Sequence, residues 1–133
     1  MRYMLLIYSS ERAEAEMDPA EAQRIMMGHK AVMDGTMQAG ILRGGEPLHP
    51  ASTATTVRQQ NGKPITLDGP FAETKEQLGG YYILDCKDLD EAISWAGKIP
   101  TACKGGSGCV EIRPIMDIPK LEESILQAVK QTV

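Results

Sequence analysis

The chain has 133 residues, 42% of them hydrophobic and 24% charged, with a formal net charge of −4. This length fits one domain with a substantial core, and the absence of a basic run argues against direct nucleic-acid binding. No apolar segment approaches the roughly 20 residues that span a bilayer, so we expect a cytoplasmic protein. Three cysteines, Cys86, Cys103 and Cys109, match no common zinc spacing and are interpreted as reduced structural thiols. Neither a metal nor another cofactor is predicted.

The first predicted elements are a strand and a long helix. The strand covers about Arg2–Tyr8, and its continuous apolar character is typical of a central strand. An acidic loop is expected next. Asp18 then caps a helix, with Pro19 in its first turn and Glu21 in the reciprocal capping position, and Gly40 ends it. The apolar stripe of this helix also contains a histidine: Ala22, Ile25, Met26, His29, Val32, Met33, Thr36 and Met37.

Extended segments follow in the middle of the chain. The stretch Ile41–Leu48 is predicted as an extended connection that glycines interrupt. The segments Ala54–Arg58 and Pro64–Leu67 flank Asn61-Gly62, which is a strong hairpin signal. The clearest strand of the sequence is Gly80–Cys86, with two tyrosines and aliphatic residues.

The last third of the sequence predicts two helices around a final strand. A second capping pattern at Asp88 begins a short helix that ends near Gly97 and Pro100. Val110–Ile115 is predicted as a strand, and Pro119 opens a terminal helix whose apolar stripe is Leu121, Ile125 and Val129. The loop Lys104–Gly108 has its lysine before its glycines and precedes a strand, so it is interpreted as a connection rather than a phosphate loop.

The order of these elements predicts an α+β ferredoxin-like fold, with helices on one face of an antiparallel sheet. An uncovered apolar sheet face would favour association with a second subunit. We therefore expect a homodimer.

The run Asp68–Tyr82 is the most specific segment of the chain. It joins two predicted strands, begins with a turn signal at Asp68-Gly69-Pro70 and holds the only phenylalanine, Phe71. Long connections between strands are commonly functional, which locates a candidate site here. The same Asp-Gly pair also has a purely structural explanation, since aspartate before glycine closes turns.

This run, followed by Asp88–Ala92, resembles the DGPF branch of the YCII-related family of small bacterial proteins. Further matching segments are Arg2–Tyr8, Gly44–Leu48, Thr53–Val57 and Val110–Pro114. The resemblance implies a ferredoxin-like domain over residues 1–117 that pairs sheet to sheet in a dimeric α+β barrel. Residues 118–133 are predicted as an additional C-terminal helical tail.

The resemblance implies a site but no established activity. Most DGPF proteins are uncharacterised, and many are associated with sigma factors of the extracytoplasmic-function type. The wider family includes a dehydrochlorinase acting on a chlorinated hydroxyquinol and carries a proposed catalytic His–Asp pair. Its histidine lies eleven residues before the glycine that ends the first helix, as His29 does before Gly40. Its aspartate follows the second helix, where this chain has Lys98-Ile99-Pro100.

These observations define a candidate site centred on His29 as general acid or base, with a hydrogen-bonded core histidine as the alternative. Asp68 is the second catalytic candidate, as a base or as the group that orients His29, and a turn-forming role is its alternative. The candidate substrate-binding residues are Arg43, Glu46, Glu73 and Lys75. The first two flank a double glycine that could instead form a bulge, and the last two could form a solvated face.

Two functions fit this reading. The first is a small-molecule-binding protein with a cleft between sheet and helices, such as a cofactor-free lyase or isomerase. The second is a non-catalytic interaction module accessory to sigma-factor-linked transcriptional regulation, contacting its partner through the terminal helix. That helix could also serve only to brace the dimer.

Overall fold

The computed structural model of the chain describes residues 1–101 and 108–132, with the side chains of 119–122 excepted. Cys103, most of the Lys104–Gly108 loop and the side chain of Leu121 therefore lie outside the described residues. The strands are β1 (Arg2–Ser9), β2 (Leu42–Pro47), β3 (Thr55–Gln60), β4 (Lys63–Asp68), β5 (Gln77–Asp85) and β6 (Cys109–Pro114). The α-helices are α1 (Glu11–Ala15), α2 (Pro19–Gln38), α3 (Leu89–Ala96) and α4 (Pro119–Gln131). No helix in the described part of the chain is long and apolar enough to cross a membrane.

Four of the strands form one antiparallel sheet in the order β2-β5-β1-β6. The two central strands, β1 and β5, are adjacent although about 70 residues separate them. The helix α2 connects β1 to the edge strand β2, and α3 connects β5 to the other edge strand, β6, as in a ferredoxin-like arrangement. This arrangement confirms the predicted α+β class and is consistent with a ferredoxin-like fold.

The core lies on one face of this sheet. Alternate residues of β1 and β5 are buried there, because successive side chains of a strand point to opposite faces. Val32 of α2, Ala92 of α3 and Ile99 cover them from the helical side. The buried hydrophobic residues of the two strands are Tyr3, Leu5, Ile7, Tyr82 and Leu84.

The strands β3 and β4 form a separate two-stranded hairpin. Asn61 and Gly62 have φ values of 51° and 77° and form its turn, as the Asn-Gly signal predicted. Gly69, at the end of β4, also has a positive φ of 94°. Most residues of the hairpin are exposed, including Val57 and Leu67.

Two local features differ from the sequence-based expectations. The acidic segment after β1 contains the short helix α1, because the Ser10 side chain accepts a hydrogen bond from Ala13 N and caps its first turn. The glycine-broken segment after α2 is the edge strand β2, with a register irregularity between Leu42 and Gly44. The double glycine therefore belongs to a bulged edge strand, which was one of its two interpretations.

Glycines on α2 allow two bulky rings to lie directly against the helix. A Cβ atom at Gly28 would lie 2.9 Å from Pro100 Cγ, and one at Gly35 would lie 2.9 Å from the Trp95 ring. These contacts fix α2 against α3 and the residues that follow it.

Candidate functional site

A cavity of about 570 Å³ lies between the N-terminal half of α2 and the sheet. The two buried residues of α2, Val32 and Thr36, both belong to its C-terminal half, so the N-terminal half leaves space above the strands. The walls are mainly apolar and come from α1 and the loop after it, from α2, from the strands β1, β2 and β5, and from the segment after α3. The lining includes Ile7, Met17, Ile25, Met26, Met33, Pro47 and Pro100, with Ser9, Glu14, His29, Glu46 and Tyr82 as polar members.

His29 and Tyr82 form the central polar pair of this cavity. The Nδ1 atom of His29 lies 3.0 Å from the Tyr82 hydroxyl oxygen, and the two ring centroids are 6.2 Å apart. Gly45 of β2 makes room for the tyrosine, since a Cβ atom there would lie 2.9 Å from the Tyr82 ring. The bulged, glycine-containing edge strand therefore helps to position the partner of the histidine.

Burial shifts the titration of both members of the pair. It lowers the pKa of His29 below its usual value of 6.5, because removal from water disfavours the charged imidazolium. It raises the pKa of Tyr82, because the phenolate is disfavoured for the same reason. At neutral pH the pair is therefore a neutral imidazole and a protonated phenol, of which the imidazole can accept a proton.

Pro100 is the second group that acts on His29. A backbone hydrogen bond with Pro100, whose only polar backbone group is its carbonyl, raises the pKa of His29 and partly opposes the effect of burial. Pro100 follows α3, in the region where the resemblance places the family aspartate. A backbone carbonyl, instead of a carboxylate, therefore acts on the histidine from this side.

Two glutamates are among the residues that line the cavity. Glu14 of α1 accepts a hydrogen bond of 2.7 Å from the Ser9 hydroxyl, which ties α1 to the end of β1. Glu46 of β2 is exposed, and because it pairs with Tyr81 while Gly45 pairs with Tyr82, its side chain belongs to the opposite face of the sheet from His29. It has no hydrogen-bond or ion-pair partner for its carboxylate within residues 1–101 and 108–132.

The structure places two of the six candidate residues, His29 and Glu46, on the cavity wall. Arg43 lines an adjacent recess of about 320 Å³, and its guanidinium contacts Asp85 at 3.4 Å and the Gly40 carbonyl at 2.9 Å. It is therefore directed toward neighbouring backbone and a carboxylate.

The structure does not bring Asp68, Glu73 or Lys75 to the cavity lining. Asp68 ends β4, and the residues that follow it are held by β3: the Thr56 hydroxyl donates to the Gly69 carbonyl, and Arg58 donates to the Phe71 carbonyl. These bonds hold the turn that follows Asp68, but none of them involves the Asp68 carboxylate, which also makes no contact with His29.

Tyr82 and Glu14 are the site residues that sequence reasoning missed. Tyr82 was assigned only to a strand, although its position two residues after a pair of glycines could have indicated a strand that packs closely. Glu14 was assigned to a loop.

No group of three or more His, Cys, Asp or Glu side chains in the described residues is arranged to hold a metal ion.

Comparison with known proteins gives a family but no activity. Residues 1–119 match the model of the YCII-related domain. The chain is also 39% identical over 115 residues to a protein of Rhizobium meliloti (strain 1021). The aligned region covers 86% of this chain and 92% of the relative. That relative is itself described as uncharacterized.

Proposed function

The chain belongs to the family of YCII-related domains, and we propose that it binds a small, largely apolar molecule in the cavity beneath α2. The observation that carries this proposal is the His29–Tyr82 pair, with its 3.0 Å contact, on the wall of a cavity of about 570 Å³. Pockets of roughly 300–1,000 Å³ with apolar walls and few polar groups are typical of small-molecule sites.

In the catalytic form of this proposal, His29 moves a proton on the bound molecule without a cofactor. Its lowered pKa keeps the imidazole unprotonated at neutral pH, which suits a general base. The Pro100 carbonyl accepts from a ring N–H and the Tyr82 hydroxyl contacts Nδ1, so the proton leaves the bound molecule for the Tyr82 oxygen while the Tyr82 proton moves to His29. A lyase or isomerase that removes a proton next to an activating group is the reaction class that this pair supports.

Binding is tested by ligand-observed NMR with a library of small fragments. Ala22 lines the cavity, and replacing it by tryptophan should fill the space and abolish the signals of bound fragments. Ala31→Trp is the matched control, because Ala31 is exposed on the same helix and outside the lining. Fragment binding that is equal in both variants and the unaltered protein would place the ligand elsewhere and refute the proposal.

The catalytic step is tested on any bound molecule by following deuterium incorporation from D2O. We expect His29→Gln to lower the exchange rate by about 10²–10⁴-fold, the usual contribution of a positioned acid or base. Tyr82→Phe should lower it as well. If the exchange rate does not depend on His29, the protein binds the molecule but does not catalyse proton exchange through this residue.

We further propose that the chain belongs to the DGPF branch, on the strength of Asp68–Phe71, and forms a dimer through the open face of its sheet. That face carries Met4, Leu6, Tyr8 and Ile83, which are only partly buried in the single chain. Leu6→Lys would place a charge opposite Glu111 of β6, which the monomer should tolerate. Sedimentation should then show a shift from dimer to monomer, and an unchanged dimer would exclude this face.

A protein-interaction role is the second candidate function, and one observation favours it. Ile125, Leu126 and Val129 are exposed on α4, so this helix presents an apolar surface. A sigma factor is the partner that the family resemblance implies. Truncation after Asp117 should abolish its recovery in a pull-down, whereas unchanged recovery would exclude the 118–133 tail as the contact.

A further inference from the structure

A hydroxyl and a carboxylate meet where β1 ends at the cavity. The Ser10 side chain caps α1, and the backbone N–H of Glu14 donates to the Ser10 carbonyl, so one helical turn returns Glu14 to the end of the strand. The Oγ atom of Ser9 then lies 2.7 Å from Oε1 of Glu14. Ser9 is only 4% exposed and lines the cavity. This contact therefore places the Glu14 carboxylate at the cavity wall.

Ser9 lies on the same face of the sheet as Tyr82. Buried side chains alternate along β1 from Tyr3 to Ser9, and Leu5 of this series pairs with Tyr82 across the strands. Four residues separate Leu5 from Ser9, which is about 13 Å along a strand. The cavity thus has two polar groups that are apart from each other, the His29–Tyr82 pair and the Ser9–Glu14 pair.

A glycine of β5 leaves the Ser9 hydroxyl open to the cavity. The register of β1 and β5 shifts between Ile7 and Tyr8, so that Gly79 is the extra residue of a bulge. A Cβ atom at Gly79 would lie 3.6 Å from Ser9 Oγ, which shows that a side chain here would fill the space beside the hydroxyl. Gly79 itself lines the cavity. A bound molecule can therefore reach the Ser9 oxygen through the space that this glycine leaves.

The hydroxyl protons of both polar groups are already used within the protein. A carboxylate only accepts hydrogen bonds, so Ser9 donates its proton to Glu14. The Pro100 carbonyl accepts from a ring N–H of His29, which leaves Nδ1 as the acceptor of the Tyr82 proton. Both hydroxyl oxygens therefore present only lone pairs to a ligand, and the Glu14 carboxylate does the same.

We infer that Ser9 and Glu14 form a second polar subsite, which binds a hydroxyl or amino group of the ligand as a hydrogen-bond donor. This inference rests on the proposed small-molecule site and specifies its ligand class, an apolar molecule with a donor group at this end. A carbonyl or carboxylate oxygen in the same place would face acceptors only and stay unsatisfied in a partly desolvated space. Thr101, the remaining lining hydroxyl, follows Pro100 and belongs to the His29 side of the cavity.

Two probes of matched shape test this preference: 5-phenylpentan-2-ol, which can donate, and 5-phenylpentan-2-one, which can only accept. Isothermal titration calorimetry at pH 7 should rank the alcohol first, by at least about fivefold. In Glu14→Ala the Ser9 proton becomes free to donate, so the affinity for the ketone should rise and the preference should disappear. Ser9→Ala should reduce the preference by lowering the affinity for the alcohol.

Two further variants separate the hydrogen bonding from changes in the short helix. Glu16→Ala, at the end of α1 and outside the lining, is the matched control and should leave the preference unchanged. Gly79→Ala retains both side chains of the pair and should weaken binding of the alcohol, because its methyl group occupies the space beside Ser9.

The outcomes separate this inference from the function on which it rests. Equal or tighter binding of the ketone that Ala22→Trp abolishes would overturn the donor preference and leave the cavity as a ligand site. An alcohol preference that survives both Glu14→Ala and Ser9→Ala would refute the role of this pair. No binding of either probe at millimolar concentration would overturn both the ligand class and the proposed small-molecule site.

Discussion

Replacing Gly28 by alanine tests whether the contact between α2 and Pro100 positions His29. An added Cβ atom would lie 2.9 Å from Cγ, 3.3 Å from Cδ and 3.7 Å from Cβ of Pro100. A contact under 3.0 Å requires movement, and a proline ring cannot rotate away as a flexible side chain can. We therefore expect Gly28→Ala to displace the segment after α3.

The expected change in the free energy of unfolding of Gly28→Ala is the sum of two opposing effects. Alanine in place of glycine in a helix interior stabilises a protein by about 0.5–1 kcal/mol. Overpacking of a close contact costs about 1–3 kcal/mol, so the expected net loss in the free energy of unfolding is about 1 kcal/mol. In Pro100→Ala the two crowded ring atoms are absent, and the remaining Cβ contact of 3.7 Å is ordinary. Adding Gly28→Ala to Pro100→Ala should therefore be neutral or stabilising.

Urea denaturation of the wild type, both single variants and the double variant measures this coupling, with Trp95 as the only tryptophan reporting by fluorescence. We expect a coupling energy of about 1–3 kcal/mol between the two positions. Two-dimensional NMR of the His29 ring should show a perturbed environment in Gly28→Ala. Additive effects of the two substitutions, within about 0.5 kcal/mol, would refute the reasoning.

Three further predictions concern the buried polar groups. Tyr82→Phe should reduce the free energy of unfolding by about 0.5–1.5 kcal/mol, and by less in a His29→Gln background. An equal loss in both backgrounds would show that the hydrogen bond between Tyr82 and His29 contributes nothing to stability. Because the folded pKa of His29 lies below the unfolded value of 6.5, its contribution to stability is full above that pH and falls on acidification toward the folded pKa. His29→Gln should therefore reduce the acid loss of stability, and an NMR titration midpoint at or above 6.5 would contradict this. In a Cys103→Ser background, a thiol reagent at pH 8 should modify the exposed Cys109 and spare the buried Cys86. Burial raises the pKa of the Cys86 thiol to about 11. Rapid modification of both thiols would exclude this order of reactivity.

The elements that the sequence predicted well are those with local causes. Asn61-Gly62 forms its turn because these residues tolerate positive φ, and Asp18 and Asp88 cap helices by accepting from backbone N–H groups three residues later. The short helix α1 was missed because Ser10 provides a comparable cap in a segment that has too few apolar residues for a periodic pattern. Local signals thus account for these turns and helix starts.

The site was only partly predictable because it depends on contacts distant in sequence. The pairing of His29 with Tyr82 joins residues 53 positions apart, and neither the bulge in β2 nor the space beneath α2 has a signature in one segment. Asp68 was chosen for its unusual neighbours, but those neighbours serve a turn that is tied to β3. An informative local motif identified the family, whereas the cavity lies elsewhere.

In the proposed site, the Pro100 carbonyl acts on His29 from the side where the family resemblance implies a carboxylate, and this difference affects the pKa of the ring. A carboxylate next to an imidazole stabilises the imidazolium strongly, through a full opposite charge. The Pro100 carbonyl is only a dipole, so its effect on the pKa of His29 is outweighed by burial, and the ring stays neutral. The polar centre of the site is therefore the pair of His29 and Tyr82, and no carboxylate among the described residues is in contact with the ring.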